Sequence, residues 1–226
     1  MQALMMDRAL TLPSILEYAA QYHPNRQVVD RMVEGPIHRY GYAQALARTK
    51  RMANALIAMG VKPGDRVATL AWSTHRHFEL YFAVTGIGAV LHTINPRLHA
   101  DQIVWVANHA EDSVLFFDNT FSEQVAELSP RMPLVKAFVA MTDRAHLPSE
   151  TLAGALVYED LIDANSAEFA WPEIDEKQAS GLCYTSGTTG NPKGVLYSHR
   201  STVLHAMALG LPDAFNFSAR RPSAMA

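Results

Sequence analysis

The feature that most restricts the fold of this chain is an alternation of helix-like and strand-like segments. Apolar or small side chains recur at the spacing of one helical face at Tyr42, Ala45, Leu46, Thr49, Ala53, Leu56 and Ile57. Gly60 and a turn at 62–65 follow this stripe, and the apolar run 67–71 has the length of a buried strand. We therefore predict a helix, a turn and a strand in that order.

The same unit recurs several times further along the chain. Thr74 is a candidate N-cap for a second helix, and the run 89–94 has the pattern of the strand that would follow it. Later helical stripes and apolar runs lie at 103–110, 114–117, 121–128, 135–139 and 158–164. This alternation predicts an α/β fold with a largely parallel sheet that is flanked by helices.

Composition limits the classes of protein to which this chain can belong. Its 226 residues are 49% hydrophobic, which fits a folded domain and excludes a disordered chain. The net charge of −3 gives no reason to expect a nucleic-acid partner. A single cysteine, Cys183, fits a reducing compartment, and the N-terminal sequence lacks the pattern of a signal peptide. We therefore predict a cytoplasmic protein with no transmembrane segment.

Charge is distributed unevenly along the chain. Residues 1–176 contain 14 basic and 21 acidic residues, a net charge of −7, whereas residues 177–226 contain 5 basic and 1 acidic residue, a net charge of +4. No carboxylate side chain occurs between residues 177 and 212. This part of the chain could therefore accommodate an anionic ligand.

A loop rich in glycine and hydroxyl residues lies inside this stretch. Its candidate phosphate-binding residues are Thr185, Ser186, Gly187, Thr188, Thr189, Gly190 and Lys193. Glycine lets backbone N–H groups approach an anion, hydroxyls donate to phosphate oxygens, and lysine adds a mobile cation. We predict that the loop holds a triphosphate, with an ordinary hairpin of the same composition as the alternative. It is not a Walker A loop, because glycine follows the lysine where that motif requires serine or threonine.

The string YTSGTTGNPKG at 184–194 resembles the signature loop of the adenylate-forming superfamily, which includes acyl-CoA synthetases, luciferases and peptide-synthetase adenylation domains. Two further strings, GAVLHTINPR at 88–97 and RYGY at 39–42, are similar to motifs of that family. The run HAEDSVLFF at 109–117, with YSHR at 197–200, most resembles the medium- and long-chain fatty acyl-CoA synthetase branch.

The resemblance implies an ATP-dependent ligase that activates a fatty acid to an acyl-adenylate and then to acyl-CoA. Its small-molecule substrates are then ATP, a carboxylic acid and CoA, with Mg²⁺ as cofactor. Residues 185–190 would bind the β- and γ-phosphates, and Lys193 would offset the charge of the departing pyrophosphate. Thr185 is the candidate hydroxyl contact to Mg²⁺, and Thr185 and Lys193 are the candidate catalytic residues. The family also leads us to expect a homodimer.

By the same resemblance, residues 1–226 form part of the family's N-terminal AMP-binding domain. Residues 10–165 would be an α/β subdomain, residues 178–212 a strand–phosphate loop–strand–helix unit, and residues 220–226 a tail that does not match. Family members are usually much longer, so we expect a truncated chain without the C-terminal domain. Two alternatives stay open: a catalytically inactive fragment that binds nucleotide or makes an oligomer contact, and an adenylating enzyme for aromatic or amino acids.

Polar residues elsewhere invite other functional interpretations. Ser198 and His199 suggest a nucleophile–base pair, but neighbours in an extended segment point to opposite faces. His75 and His77 are predicted at the start of a helix, where positions i and i+2 face apart, so they do not predict a shared metal site. Cys183 is predicted to be buried in a strand.

Overall fold

The computed structural model describes residues 4–5, 7–185 and 191–217. The helices are α1 (Leu12–Tyr22), α2 (Tyr42–Ala58), α3 (His75–Gly86), α4 (Ala100–His109), α5 (Ser122–Leu128), α6 (Tyr158–Ala164) and α7 (His199–Gly210). The strands are β1 (Gln27–Arg31), β2 (Ile37–Gly41), β3 (Arg66–Leu70), β4 (Val90–Thr93), β5 (Asp112–Phe117), β6 (Ala137–Ala140), β7 (Leu156–Val157), β8 (Ala179–Thr185) and β9 (Lys193–Ser198).

In the described part of the chain, seven strands form one mixed sheet in the order β7-β6-β5-β3-β4-β8-β9. Neighbouring strands from β7 to β8 run parallel, and β9 is antiparallel to β8. Strands β1 and β2 form a separate antiparallel hairpin. The prediction of an α/β fold with a largely parallel sheet flanked by helices is confirmed.

Helix α2 shows how the amphipathic pattern becomes structure. Ala45, Ala53 and Leu56 lie on the face predicted from the sequence, and all three are buried. Gly60 follows the helix with φ of +85°, a left-handed conformation that glycine adopts without steric strain. The predicted helix and its stop signal are therefore confirmed, but Ile57 of the predicted face is 50% exposed, because it lies at the edge of the buried stripe.

Helices cover both faces of the sheet and form the core with it. One cluster packs α2, α3 and α6 against the sheet, and its members include Leu56, Leu80, Val84, Phe116 and Ile162. The other cluster packs α4 and α5 against the opposite face, and its members include Leu70, Ile103, Leu115, Phe117 and Val125. Burying a side chain of this size contributes about 1.5–3 kcal/mol, so the two layers account for the apolar runs in the sequence.

Some elements differ from the sequence prediction. The sequence pattern does not predict helix α1, the β1–β2 hairpin or β7. Strand β1 buries none of its residues fully, and β7 is too short to show a period. Thr74 precedes α3 as predicted. It occupies the predicted N-cap position, but its hydroxyl makes no capping hydrogen bond among the described residues.

Candidate functional site

Strands β8 and β9 form an antiparallel hairpin at one edge of the sheet. Strand β8 ends at Thr185 and β9 begins at Lys193, and these two residues are direct partners in the strand register. The Thr185 hydroxyl donates a long hydrogen bond of 3.5 Å to the Lys193 carbonyl oxygen, and both residues are exposed. The sheet therefore brings together the two ends of the segment that is rich in glycine and hydroxyl residues.

The other candidate residues, Ser186, Gly187, Thr188, Thr189 and Gly190, lie outside the described residues. Their contacts stay a prediction. Strand β8, which runs parallel to β4, ends at Thr185. Ligands of open α/β sheets bind outside the carboxyl ends of the parallel strands, so the location suits a ligand site.

The residue types of the hairpin explain its local geometry. Strand β8 buries alternate residues, Ser180 and Leu182, whereas the edge strand β9 is exposed along most of its length. Gly194 lies opposite Tyr184, and a Cβ at Gly194 would come within 3.3 Å of Tyr184 Cζ. Glycine at this position therefore lets the Tyr184 ring lie close to both strands.

Lys193 carries a positive charge that no acid among the described residues neutralises. Within the described ranges the structure contains no salt bridge to Lys193. Arg200 at the start of α7 differs, because it pairs with Glu176. The N–H of Leu10 and the Arg200 guanidinium both bind that carboxylate and lower the pKa of Glu176. Among the described residues of the hairpin, the charge of Lys193 is thus available to an anion.

A polar group beside the hairpin is not singled out by the sequence analysis. His92 of β4 and Asp112 of β5 are fully buried, with 2.8 Å between His92 Nδ1 and an Asp112 carboxylate oxygen. The Tyr184 ring packs beside His92, and its hydroxyl lies 2.7 Å from His109 Nδ1. Burial raises the pKa of both Asp112 and Tyr184. The sequence feature that could have identified this pair is a histidine and an aspartate in otherwise apolar strands.

Ser198 and His199 do not form a nucleophile–base pair. Ser198 is the N-cap of α7, and its hydroxyl accepts a hydrogen bond of 3.1 Å from the Ser201 N–H. His199 is buried, and its Nδ1 accepts a hydrogen bond of 3.2 Å from the Leu12 N–H. The expected extended segment is wrong, because α7 begins at His199. The pair is still excluded, since each side chain has a structural partner.

The remaining histidine and cysteine predictions have mixed outcomes. His75 Nδ1 lies 3.2 Å from Asp30 and His77 Nε2 lies 3.1 Å from Thr69 Oγ1, so the two histidines face apart as predicted. No group of three His, Cys, Asp or Glu among the described residues could hold a metal ion. Cys183 is half-buried, because β8 lies next to an exposed edge strand, so the prediction of a buried thiol is wrong. None of the described helices has both the length and the hydrophobicity of a membrane span.

Comparison with known proteins finds relatives along almost the whole chain. The family model described as AMP-binding enzyme matches residues 16–224. A medium-chain-fatty-acid–CoA ligase from Ectopseudomonas oleovorans is 50% identical over 216 residues, and the match covers 96% of this chain and 40% of that protein. A 3-methylmercaptopropionyl-CoA ligase from Ruegeria lacuscaerulensis is 46% identical, with 95% and 40% covered. The chain therefore spans 40% of the length of these relatives.

One solved structure extends the comparison to the fold. The crystal structure of the anthranilate CoA ligase AuaEII in complex with anthranoyl-AMP matches with a TM-score of 0.81. The match covers 94% of this chain and 39% of that one at 21% identity, a likeness that shows the fold alone.

Proposed function

This chain belongs to the AMP-binding enzyme family, and we propose that it carries the ATP-phosphate-binding part of a fatty acid–CoA ligase. One observation carries the proposal: the hairpin places Thr185 opposite Lys193, and Lys193 has no ion-pair partner among the described residues. The family match over 16–224 and the 50% identity to a medium-chain-fatty-acid–CoA ligase support it. Because the chain spans 40% of that relative, the complete reaction is part of the proposal.

In the proposed reaction, the carboxylate of the fatty acid attacks the α-phosphate of ATP. A bond forms between the carboxylate oxygen and phosphorus, the bond from phosphorus to the bridging oxygen breaks, and pyrophosphate leaves. The nucleophile is already an anion, so this step requires neutralisation of charge rather than a general base. The CoA thiol then gives its proton to the solvent and its sulfur bonds to the acyl carbon. The bond between that carbon and the phosphate oxygen breaks, and AMP leaves.

The proposed catalytic residues are Thr185 and Lys193. Lys193 offsets the charge of the departing pyrophosphate, and the N–H and hydroxyl groups of 185–190 bind its oxygens. Mg²⁺ supplies further neutralisation when it is bound, and the Thr185 hydroxyl is the proposed protein contact. One hydroxyl fits this ion, because Mg²⁺ in phosphate sites is held largely by substrate oxygens and water.

The proposal also covers the domain organisation, metabolic role, location and oligomeric state of the chain. Residues 10–165 are proposed as an α/β subdomain, 178–212 as the strand–phosphate loop–strand–helix unit, and 220–226 as a tail outside the family pattern. A fatty-acid substrate places the protein in lipid metabolism, and the single cysteine supports a cytoplasmic location. The exposed apolar side chains of α7, such as Met207 at 57%, support a homodimer.

Equilibrium binding of Mg-ATP to the 226-residue chain tests the proposal. Inorganic tripolyphosphate should displace ATP and adenosine should not, because the described hairpin offers groups for phosphate. Lys193→Ala should weaken the binding of both phosphate compounds at least tenfold, or about 1.4 kcal/mol and more, since it removes the cation at the site.

Lys62→Ala is the matched control, because Lys62 is an exposed lysine in a turn at the start of β3. It should leave both affinities unchanged. Equal affinity of the wild type and Lys193→Ala would refute the role of Lys193. Absence of any binding by the wild type would refute the proposal for this chain.

A further inference from the structure

A buried pair, His92 and Asp112, lies beside the β8–β9 hairpin and has no part in the proposed reaction. Both side chains are 0% exposed, and His92 Nδ1 lies 3.0 and 2.8 Å from the two carboxylate oxygens. Their strands, β4 and β5, both neighbour β3 and are separated by it. Ala68 of β3, which has a small side chain, is the register partner of His92.

The pair is costly to bury and has a defined orientation. With Asp112 ionised, its carboxylate only accepts hydrogen bonds, so the His92 tautomer that fits the pair carries its proton on Nδ1. The other ring nitrogen, Nε2, is buried and has no hydrogen-bond partner within the part of the chain that the structure describes. Two apolar residues of similar volume could fill the same space without burying charge. Stability alone therefore does not explain why polar residues stand here.

The His92 ring touches the strand that leads into the loop. Its centroid lies 5.1 Å from that of the Tyr184 ring. The Tyr184 hydroxyl lies 2.7 Å from His109 Nδ1 on α4, and Trp105 stacks on the His109 ring at 4.6 Å. Tyr184 is thus held by groups from β4 and α4, and the next residue in the chain is Thr185.

Tyr184 also contacts the opposite strand of the hairpin. Gly194 is its register partner, and the Tyr184 ring lies 3.3 Å from the point where a Gly194 Cβ would be. Gly194 directly follows Lys193. One aromatic ring is therefore adjacent, through a single peptide bond on each strand, to both Thr185 and Lys193.

We propose that His92, Asp112 and His109 are positioning residues that fix the Tyr184 ring, and through it Thr185 and Lys193. Asp112 sets the orientation of the His92 imidazole, this imidazole limits the movement of the Tyr184 ring, and His109 anchors the hydroxyl. The inference rests on the proposed function, because the aligned hydroxyl and ammonium groups serve phosphate binding.

The test replaces the pair by apolar residues in the 226-residue chain, His92→Leu together with Asp112→Leu. This double substitution leaves no unpaired buried charge, so folding should persist with an unchanged or higher Tm. The readouts are amide hydrogen exchange at 183–185 and 193–195 and the affinity for inorganic tripolyphosphate. We expect exchange to become faster and affinity to fall, each at least about tenfold, because the local structure opens more often.

The control variant is His77→Leu with Thr69→Val. It removes another hydrogen bond of a buried histidine, which joins His77 Nε2 and Thr69 Oγ1 at 3.1 Å. Thr69 points to the opposite face of the sheet from Ala68, because side chains alternate between faces along a strand. Both readouts should stay at the wild-type level. Tyr184→Phe removes only the hydroxyl contact to His109 and should give a smaller change in the same direction as the double variant.

The outcomes separate this inference from the function on which it rests. If the folded double variant shows unchanged amide hydrogen exchange in the hairpin, the positioning role is overturned, whatever the affinity of the variant for tripolyphosphate. If the double variant does not fold, the single variants Tyr184→Phe and His109→Ala provide the test, because they leave the buried pair intact. Unchanged hydrogen exchange and affinity in both single variants would overturn the positioning role. A wild-type chain that does not bind tripolyphosphate would instead refute the proposed function, while the exchange data would still decide whether the pair orders the hairpin.

Discussion

At the scale of single residues, the fold buries an ionisable group directly after a strand of the sheet. Asp118 follows β5 and is 1% exposed. The Trp72 N–H donates to Asp118 Oδ2 at 2.6 Å, and Oδ1 has no partner among the described residues. Burial raises the pKa of Asp118 from 3.8 to about 7, and the Trp72 hydrogen bond offsets only part of the shift. This carboxyl group therefore changes charge near neutral pH.

Asp118 should make the stability of the fold depend on pH. Its pKa is higher in the folded state than in the unfolded chain, so the folded state binds more protons between those two values and the free energy of unfolding falls as pH rises through this window. Asp118→Asn removes the contribution. Between about pH 5 and about pH 8, the free energy of unfolding of the variant should rise by about 2–3 kcal/mol relative to that of the wild type. Urea unfolding measures this difference. A difference that is constant with pH would contradict the buried-carboxyl interpretation.

At the scale of secondary-structure elements, an ionic network joins the three helices on one face of the sheet. Arg48 of α2 lies 2.7 Å from Glu79 of α3 and 2.9 Å from Glu159 of α6. The Glu79 side chain is 0% exposed, and it also accepts a hydrogen bond of 2.7 Å from the Tyr158 hydroxyl. Burial raises the pKa of Glu79, and Arg48 opposes that shift. The network therefore holds α2, α3 and α6 in register.

Arg48→Met should destabilise the fold by about 3 kcal/mol or more, because it leaves the Glu79 carboxylate buried without its cation. Adding Glu79→Gln should recover most of the loss, since glutamine keeps the Tyr158 contact and carries no charge. Arg51→Met is the matched control: among the described residues the Arg51 guanidinium binds the carbonyl oxygens of Ile162 and Asn165 and no carboxylate, so its loss should cost about 1 kcal/mol. Urea unfolding measures all three, and equal losses for the two arginine variants would contradict the argument.

At the scale of the whole molecule, exposed apolar surface is concentrated in the last described elements. Helix α7 exposes Leu204 and Met207 by 43% and 57%, and their spacing of three residues places them on one side of the helix. Leu211, the C-cap residue that follows the helix, is 58% exposed. The neighbouring edge strand β9 exposes Leu196 by 62%. A patch of this kind marks a surface that associates with another surface.

The 226-residue chain should therefore self-associate, in line with the proposed homodimer. Sedimentation velocity should show a mass that increases with concentration. Leu204→Glu with Met207→Glu should shift the chain towards monomer, because it places charge in the patch. His205→Glu on the same helix adds charge outside the stripe and should have little effect. A wild-type chain that stays monomeric at its highest soluble concentration would exclude association through this surface.

Local sequence and tertiary packing determine different parts of this protein. The periodicity of α2 and the apolar run of β3 predict the class of fold, because a helix or strand leaves its pattern in neighbouring residues. The string at 184–194 predicts the candidate site for the same reason, since a phosphate-binding loop is continuous in sequence. Thr185 and Lys193 are eight residues apart, and the antiparallel register brings them together.

Tertiary structure alone decided the order of the strands and the surroundings of the loop. His92 and Asp112 are 20 residues apart and lie on strands that β3 separates, so their contact depends on strand order, which no local pattern encodes. The same is true of Tyr184 and His109, which are 75 residues apart. Local side-chain chemistry determined what the chain can form, and packing over long sequence separations decided which groups meet.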